Sequence, residues 1–242
     1  YRYLAPRGNI LTFSSDGIPL LPAEYPDTYK NNLEWGTFIK LYEYQMIGLK
    51  TNILFDLYNR LSLLMPAIAL PVRLFERRKG YSGHSLETTL SGLSVRLEQD
   101  KMKNLEKGFD PPPTSNISVS GQKMKVSIFA FKRGQSEKYT KSEGIIFTVN
   151  GQTHGYLTKS FFSRQTVRMG YLADSLLILA DCTEFDGRSR EDLFMNSRDR
   201  LRSGDLRSNI EDQLSDLLRN HPGLKELRER RRRENIENKL ED

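Results

Sequence analysis

Apolar residues between Lys50 and Met65 fall at Ile53, Leu54, Leu57, Tyr58, Leu61, Leu64 and Met65. Steps of three and four put them on one helical face, with Thr51 or Asn52 as the cap and Pro66 as the stop. Elsewhere the period is shorter. NILTFSSDGIPLL (9–21) predicts two short strands around a Ser-Ser-Asp-Gly turn, and after a polar loop WGTFIKLYEYQM (35–46) alternates as a strand does. PVRLFERR (71–78) reads as a strand, whereas LETTLSGLSVRLEQDKM (86–102) fits helix and strand equally. Asp110 with Pro111, Pro112 and Pro113 is the clearest break, because three prolines exclude a helix interior and a central strand.

Beyond that break the pattern is β. SNISVSGQKMKVSIFAFKRG (115–134) predicts two strands around Ser120-Gly121. GIIFTVNGQTHGYL (144–157) predicts a hairpin whose Asn150-Gly151 accepts the positive φ angles of a tight turn. DSLLILADC (174–182) is apolar almost throughout, as a central buried strand is. The last quarter turns helical: Leu206, Ile210, Leu214 and Leu217 form one face behind a Ser203 cap, and Pro222-Gly223 separates that helix from a highly charged one. The fold class expected is α+β.

Composition narrows the classes. With 37 % hydrophobic and 10 % aromatic residues in 242, the chain can bury a sizeable core. Net charge is +6, but 37 Lys and Arg face 31 Asp and Glu, so a phosphate-rich partner is permitted rather than demanded. Cys182 is the single cysteine, which excludes an internal disulfide and a multi-cysteine zinc site, and with three scattered histidines no metal site is expected. The longest apolar run, LSLLMPAIALPV, is too short to span a membrane, and a cytoplasmic setting is expected. The chain opens at Tyr1 in a strand-like stretch, which reads as part of something longer.

FMNSRDRL (194–201) carries the candidate chemistry. Taken locally it is a helix entry in which Asn196 or Ser197 caps backbone N–H groups and Arg198 and Arg200 face solvent. The larger order, a buried strand, a polar loop, then Asn196-Ser197-Arg198, resembles the GHKL ATPase superfamily of gyrase B, heat-shock chaperone, histidine kinase and MutL. In that superfamily a transducer domain follows the nucleotide-binding domain and returns a Gln-Thr-Lys or Ser-Arg loop to the γ-phosphate. Gly36-Thr37 resembles the motif leading into the last strand of the nucleotide-binding domain; read locally, Thr37 is a plain edge-strand residue.

The resemblance implies a ribosomal-protein-S5-like transducer, a mixed sheet with helices on one face, preceded by the closing strands of a GHKL nucleotide-binding domain. It implies boundaries at 1–48 for those strands, 49–113 for a connecting helix and linker, 114–202 for the transducer and 203–242 for C-terminal helices. It makes Arg198 a γ-phosphate sensor and Asn196 a group that positions the attacking water, with Gly36, Thr37, Ser197 and Arg198 around ATP. The Glu-Asn helix, the Asp-x-Gly-x-Gly site and the glycine-rich lid that hold ATP and Mg²⁺ in the family are not in the sequence. The expected partners are therefore an N-terminal nucleotide-binding domain and, in the full-length protein, a second copy forming an ATP-gated clamp in a DNA-related or defence process; the chain alone should not hydrolyse ATP.

The alternative is a non-enzymatic α+β nucleic-acid-binding or scaffold protein. Its residues would be Arg228, Arg230, Arg231, Arg232 and Arg233 in LKELRERRRRENIENK, where arginine contacts to phosphate make binding fall with salt. Glu226 with Arg230 and Glu229 with Arg233, at i,i+4 spacing, support instead a solvated helix. His154 reads as a hairpin residue and Cys182 as a core residue. The Ser-, Thr- and Gly-rich SGHSLETTLSGLSVRL lacks the Gly-Lys-Ser/Thr of a P-loop and reads as a connector.

Overall fold

The computed structural model describes residues 2–4, 10–12, 53–68, 72–75, 87–90, 92–198 and 200–241. The chain divides into two compact units, Tyr1–Gly48 and Leu49–Asp242. In the first, β1 (Arg2–Leu4) and β2 (Ile10–Thr12) pair antiparallel with Leu4 opposite Ile10. The strand expected over 35–46, and with it Gly36 and Thr37, lies outside the described residues.

The second unit begins with α1 (Ile53–Leu64), whose last turn closes through Met65 N–H to Leu61 O at 2.8 Å, one residue before Pro66. β3 (Val72–Phe75) and β4 (Glu87–Leu90) form an antiparallel pair, and α2 (Leu93–Asn104) follows. The ambiguous stretch 86–102 is thus both strand and helix, divided at Gly92. Its φ of +83° is the left-handed region, and a Cβ there would sit 2.6 Å from Pro66 O, so only glycine lets the chain reverse against the end of α1.

After the Asp110–Pro113 break come β5 (Thr114–Val119), β6 (Gln122–Ala130), β7 (Glu143–Val149), β8 (Gln152–Thr158) and β9 (Leu176–Asp181) in the order β5-β6-β9-β7-β8. β9 is central, antiparallel to β6 and parallel to β7, with Ile178 opposite both Ile128 and Ile145. Asn150 (φ 50°) and Gly151 (φ 75°) form the turn joining β7 and β8. Short 3₁₀ segments at Ser136–Lys138, Lys159–Ser163 and Gly170–Ser175 fill the connections.

Because side chains alternate across a strand, the sheet has two buried faces. Ile128, Ala130, Ile145, Phe147 and Ile178 pack with Phe161, Phe162, Met169, Ile210, Leu214, Leu218 and Leu224. Phe129, Phe131, Ile146 and Leu177 pack on the other side with Leu93, Leu97, Leu105 and Tyr139, and Leu63 of α1 joins them. Helices therefore cover both faces rather than one. All seven positions of β7 are buried, as a strand inside a three-layer arrangement requires.

α3 (Gly187–Leu193) is capped by Asp186, whose side chain accepts from Ser189 N–H at 2.7 Å; this contact and the Gln122 amide hold its carboxyl below the ordinary range. α4 (Asp205–Asn220) starts after Gly204, not at a Ser203 cap, and turns Ile210, Leu214 and Leu218 inward. α5 (Pro222–Glu241) contains Pro222 and Gly223 in its own first turn, so His221 alone divides the two helices. Proline suits the first helical position because its missing N–H would have no intrahelical acceptor there.

Candidate functional site

Residues 194–198 and 200–201 belong to a closed turn, and the helix entry expected at Asn196-Ser197 is displaced to Asp205. Phe194 and Leu201, both buried, form an antiparallel bridge, and Arg198 N–H donates to Met195 O at 3.0 Å across the tip. Arg202 ties the base, its N–H to Leu193 O at 2.8 Å and its Nε to Phe194 O at 3.0 Å. The turn lies directly on β8: a Cβ added at Gly155 would stand 2.8 Å from Leu201 Cδ2 and 3.3 Å from the Arg200 carbonyl carbon. His154, the neighbour of Gly155, sets its ring 5.3 Å from that of Phe194. Local sequence could not show this, since what shapes the turn is contact with a strand some forty residues earlier.

At the tip Asn196, Ser197 and Arg198 are exposed. Arg198 has a φ of +55°, left-handed backbone that a residue with a side chain adopts only when its surroundings hold it. Its Nη1 donates to Gln152 Oε1 at 2.8 Å, a neutral acceptor, and among the described residues no carboxylate pairs with it. The positive charge is felt nearby: burial first, then Arg198 and Arg190, lower the pKa of His154 below its ordinary value.

Ser197 and Arg198 line a cleft of about 220 Å³ with Thr153 and Tyr156 of β8, Ile146 and Glu143 of β7, and Arg60, Leu63 and Leu64 of α1. The end of α1 and the residues just after it are fixed there, by Thr153 Oγ1 donating to Leu63 O and Ala67 N–H to Gly151 O at 3.0 Å. Glu143 is buried and satisfied locally: its Oε2 accepts from Thr140 Oγ1 at 3.0 Å, Lys141 N–H at 3.1 Å and Ser142 N–H at 3.2 Å. Arg60 and Gln152 carry no motif and were not flagged by the sequence pattern. Arg60 stands three residues after Leu57 and four before Leu64, at the edge of the apolar stripe where those two leucines are themselves exposed.

A larger cleft of about 710 Å³ lies along the same helix, sharing Arg60, Leu63 and Glu143. There Arg96 sits 5.0 Å from the Tyr58 ring and 5.4 Å from the Tyr139 ring and donates to Lys138 O at 2.6 Å. Tyr139 donates to Asp100 Oδ2 at 2.8 Å and accepts from Asn104 Nδ2 at 2.6 Å, and burial foremost pushes its pKa up to about 12. These groups satisfy one another and brace α2 against the 136–143 loop.

The arginines of α5 are largely engaged with acids. Arg231 is buried and, with Arg230, reaches Glu106 at 2.5 and 2.6 Å; Arg230 and Arg231 also lie 3.8 and 3.7 Å from Glu234. Arg228 pairs with Glu229 at 2.8 Å, and Arg232 lies 3.8 Å from the same carboxylate. Arg233 bonds the Glu229 carbonyl rather than its carboxylate, and Arg230 pairs with Glu106 and Glu234 instead of Glu226, so the expected i,i+4 pairs are replaced by others. Arg231 faces the core and is closed to a nucleic-acid phosphate. Cys182 is buried, with burial pushing its thiol pKa up. Among the described residues no group of three or more His, Cys, Asp and Glu is placed to hold a metal, and no helix is long and apolar enough to cross a membrane.

No family model matches the chain, and no curated protein matches it. Among solved structures, the B subunit of DNA gyrase from Myxococcus xanthus aligns at a TM-score of 0.32 with 12 % identity, covering 69 % of this chain and 48 % of that one. This chain thus spans less than half the length of that subunit. At that score the likeness assigns neither a fold family nor a function, and what stands is a mixed α+β unit with a five-stranded sheet.

Proposed function

We propose that this chain is the C-terminal part of a GHKL-type ATP-dependent machine, with the end of a nucleotide-binding domain in its first unit and a transducer in its second. The observation that carries the reading is Arg198: an exposed guanidinium with no carboxylate partner among the described residues, held at a left-handed position on an anchored turn. Such a group is free to give charge-assisted hydrogen bonds to phosphoryl oxygens and to stabilise charge that builds during phosphoryl transfer. Asn196 and Ser197 share the tip, and Gly36 and Thr37 belong to the nucleotide side. The contact would disappear with the terminal phosphate, which makes the turn a reporter of nucleotide state.

Among the described residues Arg198 suits a terminal phosphate, and no group of three or more His, Cys, Asp and Glu gathers to hold Mg²⁺. ATP and Mg²⁺ belong on this reading to upstream residues, the working unit is a homodimer in the cytoplasm, and the process is DNA-related or defensive. The rival reading, a nucleic-acid-binding or scaffold protein using α5, is weakened by the acids that hold Arg228, Arg230 and Arg231. The test is Arg198→Ala in the full-length protein: ATP turnover should fall at least tenfold while ATP affinity changes little, the pattern of an interaction made in the transition state. Unchanged turnover refutes the sensor.

A further inference from the structure

Two arginines from separate elements line the 220 Å³ cleft, Arg198 from the turn and Arg60 from α1. Both are exposed, and among the described residues neither has a carboxylate partner: Arg198 donates to the neutral Gln152, and Glu143 lies in the same cleft. Eleven ion-pair contacts among the described residues show how readily basic side chains here find acids, with Arg230 and Arg231 both turned onto Glu106. Glu143 is instead occupied by Thr140, Lys141 and Ser142, and two guanidinium charges outnumber its one. Ser197, Thr153 and Tyr156 add hydroxyls to the lining, and Leu63, Leu64 and Ile146 give an apolar wall that lowers the local dielectric. The volume suits a single tetrahedral oxyanion and its first substituent, not a nucleoside, by comparison with drug-sized pockets of roughly 300–1,000 Å³.

We propose that Arg60 and Arg198 form a two-guanidinium clamp for a phosphoryl group, with Arg60 as a second phosphate ligand carried by α1. The inference deepens the reading above, on which it rests for the source of the phosphoryl group, and it adds a mechanical element. Arg198 is fixed to β8 and the base of α3, whereas Arg60 belongs to a helix packed on the opposite sheet face from α4 and α5. A phosphoryl group held by both ties these elements together, and its loss lets them separate. Guanidinium forks are suited to this because each offers paired donors to an oxyanion.

The test titrates inorganic phosphate into the protein and follows backbone amides of residues 195–198 and of α1 by NMR. Saturable shifts at both places are expected. Arg60→Gln and Arg198→Gln should each weaken binding roughly tenfold, the scale of one lost charged hydrogen bond. Arg60→Lys should recover part of that loss, which a packing defect would not, and Lys225→Gln on α5, an exposed charge away from the cleft, should change affinity less than twofold. Unchanged binding in Arg60→Gln, or an equal loss in Lys225→Gln, overturns the clamp.

In the full-length protein, ATP over ADP preference that Arg60→Gln abolishes marks a nucleotide as the source. Equal affinity for the two nucleotides, with loss only of inorganic phosphate, marks a free anion. If Arg198→Gln weakens phosphate but Arg60→Gln does not, the clamp falls and the single sensor stands. If both weaken phosphate while Arg198→Ala leaves turnover intact, the sensor falls and the clamp stands.

Discussion

Gly155→Ala sets two effects of opposite sign against each other. Removing glycine from a chain restricts the unfolded state and, where the native backbone accepts alanine, stabilises by about 0.4–1 kcal/mol. Against this, the new methyl would lie 2.8 Å from Leu201 Cδ2, 3.3 Å from the Arg200 carbonyl carbon and 3.4 Å from Leu201 Cγ. Leu201 is itself buried, bridged to Phe194, and cannot swing aside without opening the base of the turn. Overpacking of this kind costs about 1–3 kcal/mol, so the net is a destabilisation of up to about 2.5 kcal/mol. Gly187→Ala supplies the comparison, because it lies at the first position of α3 with nothing within 4 Å of the added methyl and should be neutral or stabilising. Urea unfolding of both variants measures the difference, and phosphate titration of Gly155→Ala reads whether the displaced turn carries Arg198 away from its cleft. A Gly155→Ala protein as stable as Gly187→Ala would refute the argument that the turn is seated on β8.

Two further outcomes are expected. Glu106→Ala leaves Arg231 buried with only Glu234 at 3.7 Å, so stability should fall by about 3 kcal/mol, and hydrogen exchange along α5 should rise; pairing the change with Arg231→Met should recover most of the loss, and a single variant within 0.5 kcal/mol of wild type contradicts a buried, compensated charge. His154 is held low first by burial and then by Arg198 and Arg190, so Arg198→Gln should raise its pKa toward the ordinary value of about 6.5, read by NMR titration of the ring. Because the folded value is depressed, the neutral ring's contribution to stability is whole above about pH 6.5 and is lost as pH falls toward the folded pKa; Arg198→Gln should lessen that loss, and an unmoved titration would place Arg198 away from His154.

Regular elements were legible where one local rule decided them. The spacing of Ile53, Leu54, Leu57 and Leu61 marked α1, Asn150-Gly151 marked the β7–β8 turn, and the apolar block at Leu176–Ala180 marked a buried strand. What escaped depended on distant partners. The turn at Asn196-Ser197-Arg198 resembles a helix entry because its shape comes from Gly155 and from the Phe194–Leu201 bridge, neither visible in a window of ten residues. Arg231 looked like one arginine in a solvated run, yet Glu106 on the far side of the sequence draws it inward. Arg60, a lone charge at the edge of the apolar stripe of α1, had no signal of its own, since what singles it out is the company of Arg198 in one cleft.

β9 is the middle strand of the sheet and the last of the five to be synthesised. Until residues 176–181 emerge, the β5–β6 and β7–β8 hairpins each present an unpaired inner edge, β6 on one and β7 on the other, and nothing joins them. Open edges of apolar strands are the sites where nascent chains pair with neighbours on the same message or recruit a holdase. The price of a central strand that arrives late is a window during translation in which two half-sheets wait.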